Sequence, residues 1–185
     1  MPASIEKTYA DALFSLIAEE NETDRSVFDD ALKELQVVDG LLSEVPDFLK
    51  LLGTPTVPKE SKLKIVGDAF EGRVSGYVYN FLRVLTVKGR MSRFKGVYRA
   101  FRELYNERFA IAEVTVTTRA ALSDALRSKI TSRMAQITGK SVVLKEKVEP
   151  AIIGGIVLDY GNTRMDGSVK TRLAELKKDI SGIIA

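Results

Sequence analysis

Cysteine, histidine and tryptophan are all absent from the 185 residues. Without Cys there is no disulfide and no thiol nucleophile. Without His there is no imidazole base, and no zinc or haem site that depends on either residue. Carboxylates, Lys, Ser/Thr and Tyr are what remain for chemistry, so binding or scaffolding stands ahead of catalysis, with no cofactor and no metal expected. Long apolar runs are scarce as well. The longest, Ala151 to Leu158, is eight residues with Gly154 and Gly155 inside it, far below the ~20 that span a bilayer. Glu6 and Asp11 stand where a signal peptide needs a positive start and an apolar stretch. The expectation is a soluble chain that fits a reducing compartment and meets a membrane only through a partner.

Apolar residues make up 45% of the chain, enough for a real core. The net charge of +3 hides an asymmetry: residues 1–60 hold 13 acids against 5 bases, while the rest hold 12 against 23. The basic excess is densest from Arg83 to Arg108, where arginines interleave with Phe94, Tyr98 and Phe101. At helical spacing those aromatics read as a core stripe with the arginines on its wet face. The competing reading, a nucleic-acid surface, lacks a Gly-x-x-Gly loop or aromatic strand motif, so no nucleic acid is expected.

Helical periodicity rules the first 109 residues. Ser4 is a candidate N-cap, and Ile5, Tyr9, Ala12, Leu13 and Leu16 form one stripe. Ala10, Phe14 and Ile17 extend the apolar arc well past the ~100° a surface helix needs. Either this helix is buried centrally in a bundle, or a foreign helix docks on the Ala10/Phe14/Ile17 side. Further helices follow through Phe28 to Leu42, from Pro46 to Leu52, from Pro58 to Phe70, through Tyr77 to Leu85 with Gly89 as C-terminal cap, and from near Ser92 to Phe109. The period then changes: Ala112, Val114 and Val116 alternate with polar residues as in a strand. A helix capped by Ser123 and carrying Leu126, Ile130, Met134 and Ile137 ends at Gly139. Strands are expected at 142–148, 156–160 and 163–165, and a last helix capped by Ser168 carries Val169, Leu173, Leu176 and Ile180. The fold class is mainly α: a six-helix bundle over 1–109, then a small α+β domain over 110–185.

Catalytic motifs fail on inspection. Gly139-Lys140-Ser141 looks like the tail of a phosphate loop, but Met134 stands where the first Gly must be. Ser-x-x-Lys occurs at Ser4, Ser61 and Ser92 without its companion motifs. Asp159 and Asp166 flank the Gly161-Asn162 turn and read as turn and cap residues rather than an acid–base pair. Gly154 and Gly155, ahead of an apolar strand, point to close backbone approach or positive φ.

Glu149-Pro150-Ala151-Ile152-Ile153-Gly154-Gly155, Asp159-Tyr160-Gly161-Asn162 and Asp166-Gly167-Ser168-Val169 with Leu173 resemble the C-terminal signature of the F-type ATP synthase delta subunit family, the oligomycin-sensitivity-conferring protein of mitochondria. Tyr9-Ala10-Asp11-Ala12-Leu13-Phe14, Phe81 to Leu85 and Lys88-Gly89-Arg90 continue the match in family order. Glu149 and Ala151 depart from the family's commoner Asp and Ser. The resemblance implies a non-catalytic stator subunit, peripheral on the cytoplasmic face of a bacterial cell membrane, that joins the catalytic head to the peripheral stalk. It implies that the bundle binds the N-terminal helical segment of an alpha subunit through its first and fifth helices. Tyr9, Ala10, Leu13, Phe14, Ile17, Tyr77, Phe81 and Arg83 lie near that contact on this reading. It also implies that the C-terminal part binds the b subunits' C-terminal helices, with Leu173 and Leu176 as candidates. Phe14→Asp is then the substitution expected to uncouple proton flow from ATP synthesis.

Overall fold

The computed structural model describes residues 4–21, 24–54 and 56–183, and side chains as far as Lys177. Pro55 of the expected loop and the side chain of Ile180 lie outside the described residues. Helices dominate, and four strands form one sheet. Two compact units divide after Tyr105.

The first unit carries α1 (Ile5–Glu20), α2 (Arg25–Glu44), α3 (Pro46–Gly53), α4 (Lys59–Phe70), α5 (Gly76–Val87) and most of α6 (Phe94–Arg108). Each start has a local cause. The Ser4 side chain accepts from the Lys7 N–H, Asp24 from the Ser26 N–H, and Ser75 from the Val78 N–H. Pro46 opens α3 where its missing N–H costs nothing. Pro58 sits one place earlier than predicted, as the residue before α4 rather than its first. Gly89 takes φ +65 just past α5, the left-handed stop its sequence position implied. A 3-10 turn at Met91–Arg93 leads into α6.

Helical spacing makes the core. Phe28, Ala31, Leu35, Val38 and Leu42 of α2 are buried in i+3/i+4 steps. Phe94, Val97, Phe101 and Tyr105 give α6 the same pattern. The aromatics of the basic stretch are thus a core stripe; Arg102 lies over the Tyr98 ring at 5.8 Å to its centroid.

The second unit begins with β1 (Ile111–Thr118), α7 (Asp124–Thr138) and β2 (Ser141–Val148), a crossover that sets β1 and β2 parallel. Then come β3 (Ile156–Tyr160), β4 (Thr163–Asp166) and α8 (Val169–Ile183). β3 runs antiparallel to β1, and β4 antiparallel to β3, for an order of β2-β1-β3-β4. Central β1 buries Ala112, Val114 and Val116, and Leu122, Ile130 and Met134 pack with the two valines. Leu126 and Ile137, predicted on that same stripe, are instead exposed, because α7 covers the sheet with a narrower face than its apolar content suggests. Gly139 ends α7 at φ +67, a helix cap rather than part of a phosphate loop. Among the described residues no helix is long and apolar enough to cross a membrane.

Candidate docking surfaces

An apolar furrow runs between α1 and α5. Tyr9, Ala12, Leu13 and Leu16 form one side, and Tyr77, Asn80, Phe81 and Val84 the other, around 220 Å³. Leu13 and Phe81 are its buried floor, whereas Leu16 is 43% and Val84 47% exposed. The Tyr9 and Phe81 rings meet edge to face at 6.3 Å, which fixes the spacing of the two helices. At one end Tyr77 Oη donates to the Glu20 carboxylate and accepts from Asn21 Nδ2 at 3.0 Å. That carboxylate holds the Tyr77 proton and raises its pKa above the usual phenol value. At the other end Arg90 Nη1 donates to Tyr9 Oη at 2.9 Å, with its guanidinium over the Tyr9 ring.

A second groove of 420 Å³ lies on the other flank of α5 and is lined by Leu63, Arg83, Val87 and Lys88. It shares Asn80 and Val84 with the first, so that pair forms a ridge between the two. Arg83 lies over the Tyr79 ring, 5.7 Å from its centroid.

The α1 residues expected from sequence divide in an unforeseen way. Tyr9 and Leu13 line the furrow with Tyr77 and Phe81, while Arg83 lines the neighbouring groove. Ala10 and Ile17 are fully buried, and Phe14 packs against Phe28 and Phe101 with ring centroids at 4.9 and 5.5 Å. The Ala10/Phe14/Ile17 side, one of the two readings for a foreign helix, therefore faces the unit's own core. The open strip is the stripe of Ile5, Tyr9, Ala12 and Leu16. Periodicity finds both stripes but cannot tell them apart, because both are apolar at helical spacing. Leu16 was missed for that reason; Asn80 and Val84 of α5 carry no apolar signal that separates them from the rest of their helix.

In the second unit α8 presents an exposed apolar row among the described residues: Val169 is 38% exposed, Leu173 59% and Leu176 57%. The helix is anchored at its root. Ser168 Oγ accepts from the Thr171 N–H at 3.3 Å, and Asp166 Oδ1 accepts from the Ser168 N–H at 2.9 Å. The backbone and side-chain bonds from Ser168 hold the Asp166 carboxyl below the usual aspartate value. The Val169 N–H donates to the Gly154 carbonyl at 3.0 Å, tying α8 to the glycine pair. Gly155 has φ +86, a conformation that suits glycine, whereas Gly154 takes no such conformation. Asp159 faces Arg164 across the β3–β4 pair at 3.8 Å, which leaves the two aspartates in separate structural roles.

Comparison with known proteins adds what geometry cannot. A family model described as ATP synthase delta (OSCP) subunit matches residues 5–180. The ATP synthase subunit delta of Clostridioides difficile is 33% identical over 98% of this chain and 98% of its own length. That of Magnetococcus marinus is 34% identical over 97% and 96%. A chain in the solved Toxoplasma gondii mitochondrial ATP synthase hexamer shares the fold at a TM-score of 0.72, with 20% identity over 96% of this chain and 98% of that one. With a match that runs through both units, this chain belongs to the ATP synthase delta (OSCP) subunit family.

Proposed function

We propose that the chain is the non-catalytic stator subunit of a proton-translocating F-type ATP synthase, linking catalytic head to peripheral stalk. On this reading residues 1–109 act as one six-helix bundle that holds the N-terminal helix of an alpha subunit. Residues 110–185 hold the C-terminal helices of the b subunits, and the protein sits on the cytoplasmic face of a bacterial cell membrane, reaching it only through the complex. The observation that carries the first contact is the furrow between α1 and α5, apolar along its floor and open along Leu16 and Val84.

The physics of a stator supports a contact of this kind. A static clamp must resist rotor torque, and exposed ion pairs are worth only about 0–1 kcal/mol each. Burying one large apolar side chain contributes roughly 1.5–3 kcal/mol. A helix laid in the furrow covers several such side chains at once. The exposed row on α8 is the corresponding feature for stalk helices.

The test is reconstitution. Complexes lacking this chain, assembled in vesicles, are expected to hydrolyse ATP in the head while failing to couple that hydrolysis to proton movement. Adding the full chain back restores coupling. Full coupling in its absence, or no interaction between the full chain and a peptide of the alpha N-terminal segment, would refute the proposal.

A further inference from the structure

The apolar row on α8 keeps a heptad spacing. Val169, Leu173 and Leu176 step by four and then three, the d, a and d positions of a coiled-coil seam, and all three are exposed. On that register Lys170 and Lys177 take e positions and Arg172 a g position, the places that flank a seam, while Glu175 falls at c, away from it. The sequence puts Asp179 at the following g position, so the basic flanks belong to the first half of the helix. Among the described residues neither Lys170 nor Arg172 is ion-paired. Lys170 shares a hollow of about 580 Å³ with Asp159 and Asp166. Both acids are engaged there: Asp166 accepts from the Ser168 N–H at 2.9 Å, and Asp159 faces Arg164 at 3.8 Å. From Arg172 to Lys177 every side chain of α8 is exposed. A helix of 15 residues is marginal in water without tertiary packing, so α8 gains from a helix laid along its seam.

We propose that α8 recognises its partner as one strand of a coiled coil, taking a helix whose own apolar heptad seam is flanked by Asp or Glu. The inference rests on the reading of α8 as the stalk-helix site and adds the chemistry by which that helix is chosen. The seam supplies affinity with little choice, since apolar contact is non-directional. Choice falls to the flanks, because e and g charges set partner preference in coiled coils. An acidic flank on the partner meets Lys170 and Arg172, whereas a basic flank meets like charge. Exposed pairs are each worth a factor of up to about five in affinity. Two positions turned from attraction to repulsion therefore separate acidic-flanked from basic-flanked partners by roughly tenfold. The pairs lie in water at the rim of the contact, so added salt shrinks the preference.

The test uses the full chain, calorimetry and two synthetic peptides of three heptads, alike in Ile at a and Leu at d. One carries Glu at every e and g position and the other Lys; like charges on the flanks keep each peptide from pairing with itself. The Glu peptide is expected to bind roughly tenfold more tightly, and the order to invert in the chain carrying Lys170→Glu and Arg172→Glu. Both replaced side chains are exposed, so circular dichroism should show that variant folded as before. Equal affinities, an order that does not invert, or no binding of either peptide overturns the inference. The C-terminal segment of a b subunit is titrated alongside and is expected to lose about tenfold in the charge-reversed chain. Loss in a Leu173→Ser, Leu176→Ser chain but not in the charge-reversed one overturns the role of the flanks and leaves α8 as the stalk site. Retained affinity in the Leu173→Ser, Leu176→Ser chain moves the stalk contact off α8 and overturns both readings.

Discussion

Gly155 and Gly167 pass so close that a β-carbon on Gly155 would stand 2.4 Å from the Gly167 carbonyl oxygen and 2.8 Å from Ser168 Cα. The contact is backbone on backbone, so no side chain can swing away to make room. With φ at +86, Gly155 also holds a conformation that L residues rarely adopt. The crossing seats the start of α8 against the entry to β3, and the Gly167 N–H to Ile156 carbonyl bond at 2.9 Å closes it.

Gly155→Ala should therefore destabilise the second unit by about 2–4 kcal/mol, combining backbone strain with an unrelievable clash. At Gly154 the added carbon meets only Val169 Cγ2, at 3.2 Å. Gly154→Ala should cost about 1 kcal/mol or less, because that exposed side chain can shift. Urea unfolding followed by circular dichroism ranks the two, as there is no tryptophan to report by fluorescence. Equal losses would mean that the crossing does not bear on stability.

Phe14 and Leu16 should part company under the same substitution. Phe14→Asp sets a carboxylate between Phe28 and Phe101 and should cost at least about 3 kcal/mol of stability. The uncoupling expected of it from sequence would then reflect a damaged fold. Leu16→Asp, on the open side of the furrow, should change stability by no more than about 0.5 kcal/mol. It should weaken binding of the alpha N-terminal peptide by about tenfold or more, from lost apolar burial. Thermal melts alongside peptide titrations give both readouts. Unchanged affinity for Leu16→Asp would move the site away from this furrow.

On α8, replacing both Leu173 and Leu176 by Ser should leave the unfolding midpoint almost unmoved, since both side chains already lie mostly in solvent. Binding of b-subunit helices, measured by calorimetry on the full chain, should fall by roughly tenfold or more as two large apolar contacts are lost. A marked drop in stability would instead make the row part of this chain's own core.

Asp166 links stability to acid. Its carboxyl is held below the ordinary 3.8, chiefly by the Ser168 N–H, so its pKa is lower folded than unfolded. The stabilisation it gives is complete above the unfolded value and is lost as pH falls through the folded one. Asp166→Asn keeps an acceptor for that N–H but removes the titration. The stability difference between the two chains should be constant at neutral pH and should shift below about pH 4. A difference flat down to pH 2 would show that the ionised form is not what Ser168 stabilises.

Local chemistry was enough to locate most elements. Ser4, Ser123 and Ser168 start helices because a hydroxyl can accept an orphan N–H there, and Gly89 and Gly139 stop them because the left-handed turn suits glycine. The alternation of Ala112, Val114 and Val116 marked a strand, and two adjacent glycines marked a backbone crossing. Such signals act within a few residues and survive in any tertiary setting. Which of the two apolar stripes on α1 faces inward was settled elsewhere, by Phe28 and Phe101 closing over Phe14 and leaving Leu16 to solvent. The parallel pairing of β1 with β2 and the choice of buried residues on α7 are likewise matters of assembly. Each depends on residues distant in the chain, and periodicity, which records only how a segment divides its own faces, carries no word of what will lie against them.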